Sequence, residues 1–160
     1  MINIKRHSGI YTLKVKQHLP ITKERAWHFL SDPGNLQKIT PKHMRFIITS
    51  GDETDNMYPG QIITYKVSPF YGIKMNWVTE ITHVKEGEYF VDEQRFGPYR
   101  MWHHEHYIRE VSNGVEMTDL VSYKIPLGML GKIMHQLVIK RKLYLIFQYR
   151  FNTLKELFGD

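Results

Sequence analysis

Along residues 11–17 the apolar Tyr11, Leu13 and Val15 alternate with Thr12, Lys14 and Lys16, the period of two that marks a strand with one buried face. The spacing then turns helical. Thr22 stands before residues 23–30, with Glu24 in the first turn and Ala26, Trp27, Phe29 and Leu30 apolar, which predicts an N-capped helix. Ser31-Asp32-Pro33-Gly34 stops it, and residues 35–39 predict a second short helix before Pro41. Six further stretches, 44–49, 61–68, 73–84, 89–95, 100–111 and 115–125, are separated by turn residues and predict an antiparallel meander. Beyond Pro126 and Gly128, Leu130, Ile133, Leu137, Tyr144, Phe147, Phe151, Leu154 and Phe158 recur near a period of 3.6. An unbroken helix there spans about 45 Å at ~1.5 Å per residue. It is too apolar to stand alone. Only a curved sheet of this size covers it, so the pattern predicts an α+β fold: about seven antiparallel strands wrapped around a long C-terminal helix, with two short helices after the first strand.

Composition narrows the function classes. No repeat or linker divides the 160 residues, so one domain over 1–160 is expected, and a chain of that length buries roughly two-thirds of its unfolded surface. The absence of Cys excludes disulfides, thiolate metal sites and a cysteine nucleophile. A net charge of +6 would suit a nucleic-acid partner only if it clustered, and the one dense run, Lys140-Arg141-Lys142, falls within the predicted helix, where a solvated face explains it. No nucleic-acid partner is expected. Residues 1–8 lack the apolar core of a signal peptide, and no run approaches the ~18 apolar residues of a membrane span, so a cytoplasmic protein is expected.

Turn chemistry assigns side chains to faces. Asn113-Gly114 fits a two-residue type I′ hairpin closed by Ser112 and Val115, which sets Ile108 opposite Asp119, His106 opposite Val121 and His104 opposite Tyr123. One face then carries Trp102, His104, His106 and Ile108 with Met117, Asp119, Val121 and Tyr123. The other carries His103, Glu105, Arg109, Glu116, Thr118, Ser122 and Lys124, and is expected to meet water. A turn at Glu86-Gly87 similarly places Trp77, Thr79 and Ile81 beside Phe90, Asp92 and Gln94, and sets Glu80 against Glu93, a repulsive pair unless a cation intervenes.

The element order, together with Ser31-Asp32-Pro33, Asn35-Leu36, Thr40-Pro41, Trp77, Asp92 with Gln94, Gly97-Pro98-Tyr99, Trp102-x-His104-x-His106, Asp119-x-Val121-x-Tyr123 and Pro126-x-Gly128, resembles the helix-grip fold of the START/SRPBCC superfamily. Those motifs are similar to a bacterial ligand-binding SRPBCC family, although Ile108 stands where an aromatic residue is expected. The resemblance implies a cavity between sheet and C-terminal helix that holds a small hydrophobic molecule. The superfamily includes pathogenesis-related proteins, lipid-transfer domains and polyketide cyclases, so it hosts carriers and enzymes alike.

A buried face this polar demands partners. Three readings are open. His106 with Asp119 and His104 with Tyr123 can form a self-satisfied network that stiffens the sheet. The same groups can be the few polar anchors of an apolar pocket, with Trp77, Phe90, Asp92, Gln94, Trp102, His104, His106, Asp119, Val121 and Tyr123 as ligand-binding candidates. His104, His106 and Asp119 also form a conceivable metal set, but alternate strand positions often carry two histidines without one, and neither metal nor cofactor is expected. Catalysis is the alternative function: a cyclase or dehydratase using His104, His106, Asp119 and Tyr123 as acid–base candidates. A basic surface that binds nucleic acid or a protein is the more distant one. Tyr99 and Met57-Tyr58-Pro59-Gly60 are placed at the rim, whereas Trp27 and Phe29 are assigned to the core.

Overall fold

The computed structural model describes residues 2–50, 57–70 and 72–159. Its elements are strands β1 (Asn3–His7) and β2 (Ile10–Leu19), helices α1 (Lys23–Ser31) and α2 (Pro33–Leu36), a 3-10 turn at Lys42–Met44, then β3 (Ile47–Ile48), β4 (Ile62–Phe70), β5 (Ile73–Lys85), β6 (Tyr89–Phe96), β7 (Met101–Val111) and β8 (Gly114–Lys124). The chain ends in α3 (Gly128–Met134), a π-helical turn at His135–Ile139, and α4 (Lys140–Phe158). The strands form one antiparallel sheet in the order β1-β2-β8-β7-β6-β5-β4-β3. After β2 the chain crosses to the far edge through α1 and α2 and meanders back until β8 closes on β2. The architecture is the α+β arrangement that the pattern predicts, with eight strands.

The extra strand is β1. Four of its five residues are exposed, so it carries little of the alternation by which a strand is recognised, and its charged residues suit an edge. The 44–49 strand contracts to Ile47–Ile48, and the second short helix begins at Pro33, where Asp32 accepts from the Gly34 N–H at 2.7 Å. Asp32 therefore starts a helix as well as ending one.

The inner sheet face presents Leu13 and Val15 of β2, Met117 and Val121 of β8, and Ile108 of β7 to the apolar side of α4, where Leu143, Phe147 and Leu154 are buried. Burying each such side chain contributes on the order of 1.5–3 kcal/mol. The outer face is laced with charge pairs such as Lys16–Glu116 at 2.8 Å. Glu80 does face Glu93, and Arg95 supplies the cation: it bonds both carboxylates.

The β7–β8 register differs from the expected one. Val111 pairs with Gly114, so His106 faces Asp119, His104 faces Val121 and Trp102 faces Tyr123. Asn113 does not take the positive φ a type I′ turn needs; that turn lies instead at Ser8-Gly9, with φ of 47° and 80°. Gly114 has another reason to be glycine: a Cβ there would sit 2.2 Å from the Leu19 carbonyl oxygen. Because the shift is two residues, every side chain keeps its face.

The C-terminal helix also departs from the expected stripe. Its π turn changes the phase, so His135 and Ile139 turn inward while Leu130, Ile133, Leu137 and Tyr144 are exposed. His135 is fully covered, stacked on Tyr11 at 3.6 Å, with Nε2 bonded to the Tyr123 hydroxyl at 2.8 Å.

Two predictions follow from these contacts. Gly114→Ala destabilises the fold by more than about 1 kcal/mol, while Asn113→Ala stays within about 0.5 kcal/mol; chemical-denaturation midpoints that rank them the other way would restore the type I′ turn. Burial first, then the charges of Lys140 and Arg6, lower the His135 pKa to about 4. The unfolded chain, titrating near 6.5, therefore binds more protons between those values, and stability is lost as pH falls through the window. His135→Gln should flatten the melting temperature's dependence on pH between about 4 and 6.5, and an unchanged slope would remove His135 as its source.

Candidate functional site

Between the inner sheet face and α4 lies a cavity of about 180 Å³, where one water needs ~10–15 Å³. Its sheet wall includes Ile63, Tyr65 and Val67 of β4, Trp77, Thr79 and Ile81 of β5, Phe90 and Asp92 of β6, and Trp102, His104 and His106 of β7. The helix α4 adds Leu143, Ile146, Phe147 and Arg150. Phe29, Leu30, Leu36, Met44, Phe46 and Met57 come from the segments that cross the sheet. Rings hold one another in place: Trp77 and Trp102 meet edge to face at 5.5 Å, and Tyr99 lies 4.8 Å from Trp102.

One end of this apolar space is charged. His106 places Nε2 at 2.8 Å from Asp92 Oδ2 and Nδ1 at 2.9 Å from Asp119 Oδ1. His104, two positions earlier on the same face, places Nε2 at 3.1 Å from Asp119 Oδ1 and Nδ1 at 3.5 Å from Asp92 Oδ2. Arg150, also on the cavity wall, places Nε at 3.3 Å from Asp119 Oδ2 and Nη2 at 3.4 Å from His106 Nδ1. Both imidazoles, Asp119 and Arg150 are buried, and Asp92 is mostly so.

Burial works against ionising Asp119, yet the Arg150 charge and the bonds from both histidines outweigh it and hold the carboxyl well below the usual range. Asp92 is likewise lowered: burial is overcome by His104, His106 and Arg150. The histidines diverge. Burial and then the His106 charge lower His104, whereas at His106 the bonds to Asp119 and Asp92 overcome burial and raise the pKa. His106 Nδ1 also lies 3.4 Å from Arg150 Nη2, a donor, so a neutral imidazole can accept there and donate from Nε2 to Asp92, whereas donation from both nitrogens takes an imidazolium.

Trp77, Phe90, Asp92, Trp102, His104 and His106, singled out from the sequence, stand on the cavity wall. Gln94, Asp119, Val121 and Tyr123 stand off it. Gln94 turns to the β6–β7 connection and bonds Tyr99 through both ends of its amide, at 2.7 and 3.2 Å, over a Gly97 that has no room for a Cβ. Val121 and Tyr123 are fully buried with Tyr11 and Leu13, and the Tyr123 hydroxyl goes to His135 rather than to His104. Asp119 sits behind the imidazoles. Phe29, assigned to the core, and Met57 and Tyr99, assigned to the rim, are on the wall as well.

Arg150 is not among the residues that the sequence pattern singles out. Its signal is nonetheless present: Leu143, Phe147, Arg150 and Leu154 share one buried helix face, and a lone arginine on such a face requires an anion opposite.

No family model and no curated protein matches the chain. Solved structures do. Protein CV1439 from Chromobacterium violaceum is 16% identical with a TM-score of 0.71, over 93% of this chain and 98% of that one. Protein Ms6760 from Mycobacterium smegmatis is 18% identical with a TM-score of 0.67, over 98% and 97%. Ara h 8.0201 is 15% identical with a TM-score of 0.60, over 92% and 99%. At such identities the likeness concerns the fold, and the fold they share with this chain is the helix-grip. Among the described residues, no helix is long and apolar enough to cross a membrane.

Arg150→Met should lower stability by about 3 kcal/mol or more, since it leaves the buried Asp119 charge short of a partner. The double variant Asp119→Asn/Arg150→Met should cost less than the single one. Additive losses in denaturation would mean that the two groups do not act as a pair.

Proposed function

We propose that the chain binds a small, largely apolar molecule between the sheet and α4, oriented by one polar group at the Asp92–His104–His106 end. The observation that carries this reading is the composition of the cavity wall, aromatic and aliphatic over most of its extent with a cluster of ionisable groups at Asp92, His104 and His106, as expected where a few polar anchors set orientation. The Trp77 indole N–H supports it. That donor is buried without a hydrogen-bond partner among the described residues, on a side chain that lines the cavity, and an acceptor on the ligand would satisfy it.

Acid–base catalysis on a polyketide-like substrate is the second reading, favoured by the two imidazoles and the adjacent Asp92 carboxylate on the cavity wall. Asp119 and Tyr123, named from the sequence as acid–base candidates, are less suited to touch a substrate, because neither lines that space. Nucleic-acid binding forms no part of the proposal.

Native mass spectrometry of freshly purified protein should show a co-purifying small molecule or uptake of an apolar fluorescent probe. Ile146→Trp, which fills the cavity from α4, should weaken probe binding at least about tenfold. His103→Phe, on the outer face, should leave it unchanged. Equal affinity in both variants would mean that the probe binds elsewhere and would remove the cavity from the functional reading.

A further inference from the structure

We infer that Asp92, His104 and His106 form a site for a divalent transition-metal ion whose open coordination positions face the apolar cavity. The expectation of no metal weighed Asp119 as the carboxylate ligand, and the structure gives that residue a different place. Asp119 Oδ1 lies behind both rings, 3.1 Å from His104 Nε2 and 2.9 Å from His106 Nδ1. With an N–H on each of those rear nitrogens donating to it, and Arg150 Nη2 at 3.4 Å beside His106 Nδ1, the lone pairs of His104 Nδ1 and His106 Nε2 are left at the front. A carboxylate behind a ligating histidine fixes tautomer and ring orientation in this way. Arg150 holds the other carboxylate oxygen, with Nε at 3.3 Å from Asp119 Oδ2.

The two front nitrogens converge on Asp92 Oδ2, at 3.5 and 2.8 Å, and one ligand atom from each of the three residues lies within 4.8 Å of the others. Metal–ligand bonds of ~2.0–2.1 Å at tetrahedral angles set ligand atoms ~3.3 Å apart, so the trio needs only small shifts to close on an ion. All three residues line the cavity, which is where further ligands would approach.

Charge balance points the same way. Two carboxylates against one guanidinium leave the buried cluster one positive charge short when both imidazoles are neutral. A proton on His106 supplies that charge and satisfies its contact with Asp92, but leaves His104 Nδ1, an acceptor, facing a carboxylate oxygen. A metal ion satisfies all three front atoms together. Two imidazoles and one carboxylate suit Zn²⁺ or Fe²⁺, and the open positions would take a hydroxyl, carbonyl or carboxylate oxygen of an otherwise apolar ligand. The metal half of the inference stands apart from the proposed function; the ligand half rests on it.

The test uses the full chain, stripped with a chelator and titrated with Co²⁺ and Zn²⁺ alone. We expect one Co²⁺ per chain with visible absorption of a four- or five-coordinate site, and a rise in melting temperature with Zn²⁺. Asp92→Asn and His104→Phe should each weaken binding at least about 100-fold, Asp119→Asn by about 10–100-fold, and His103→Gln not at all. If His104→Phe fails to fold, Asp92→Asn carries the test, because that side chain is the most exposed of the trio. No stoichiometric binding, or binding that survives Asp92→Asn but is lost with His103→Gln, would overturn the site.

A parallel arm compares naphthalene with 2-naphthoate on stripped and Zn²⁺-loaded protein. Zn²⁺ should raise naphthoate affinity about tenfold and leave naphthalene unchanged. Naphthalene binding without any metal uptake would sink the metal and keep the ligand reading. Metal uptake with neither probe bound would do the reverse.

Discussion

A carboxylate buried between a sheet and a helix must be neutralised where it stands, and much of this molecule's inner architecture answers to Asp119. It sits on β8, the strand that closes the meander onto β2, and it meets Arg150 from α4 through Oδ2 and two imidazoles from β7 through Oδ1. These contacts run across sheet and helix, so they link the registration of β7 on β8 to the seating of α4. An apolar core tolerates sliding of a helix along a sheet at modest cost, because dispersion is non-directional. A buried ion cluster does not, since each misplacement leaves a charge without a partner. Gln17 reinforces the same seating from β2, donating to the Phe151 carbonyl oxygen at 2.8 Å.

The sheet faces were legible because strand periodicity is two. The β7–β8 turn was assigned wrongly, yet the error was an even number of residues, and His104, His106 and Asp119 stayed on the inner face where alternation puts them. What alternation cannot convey is depth. Asp92 and Asp119 share that face, yet one borders the cavity and the other lies behind the imidazoles, because sheet curvature and the line of α4 decide which side chains the helix covers. Their unlike places depend on long-range packing that no local pattern encodes. Arg150 was missed for a related reason: a helix read for its apolar residues passes over the one buried position that is not apolar.

The C-terminal helix shows where a sequence period fails physically. A stripe through Leu130, Ile133 and Leu137 assumes one uninterrupted phase from Gly128 onward, and the π turn at His135–Ile139 breaks it. The widened turn brings His135 under Tyr11 and the Tyr123 hydroxyl, a polar anchor that the regular phase would have pointed elsewhere. Segments on either side of that turn consequently use different faces. Beyond it, the core face runs through Leu143, Phe147, Arg150 and Leu154, and the aliphatic side chains before it are largely left to solvent.

The open space next to the charged cluster has a physical reason to exist. Closing it would bring further apolar surface of α4, such as Ile146, against the Trp77 indole N–H, beside the Phe147 ring that already meets His104 edge-on at 5.8 Å. Ile146 can neither donate nor accept a hydrogen bond, so the closed form would keep that N–H without a partner at a cost of about 1–3 kcal/mol. The rigid rings of Trp77, Tyr99 and Trp102 also pack on one another and resist collapse inward. A guest that offers apolar surface to the walls and one polar atom to the cluster meets both demands together. The polar wall and the open space beside it are therefore physically compatible, because an open wall asks no aliphatic side chain to meet an unpaired hydrogen-bonding atom.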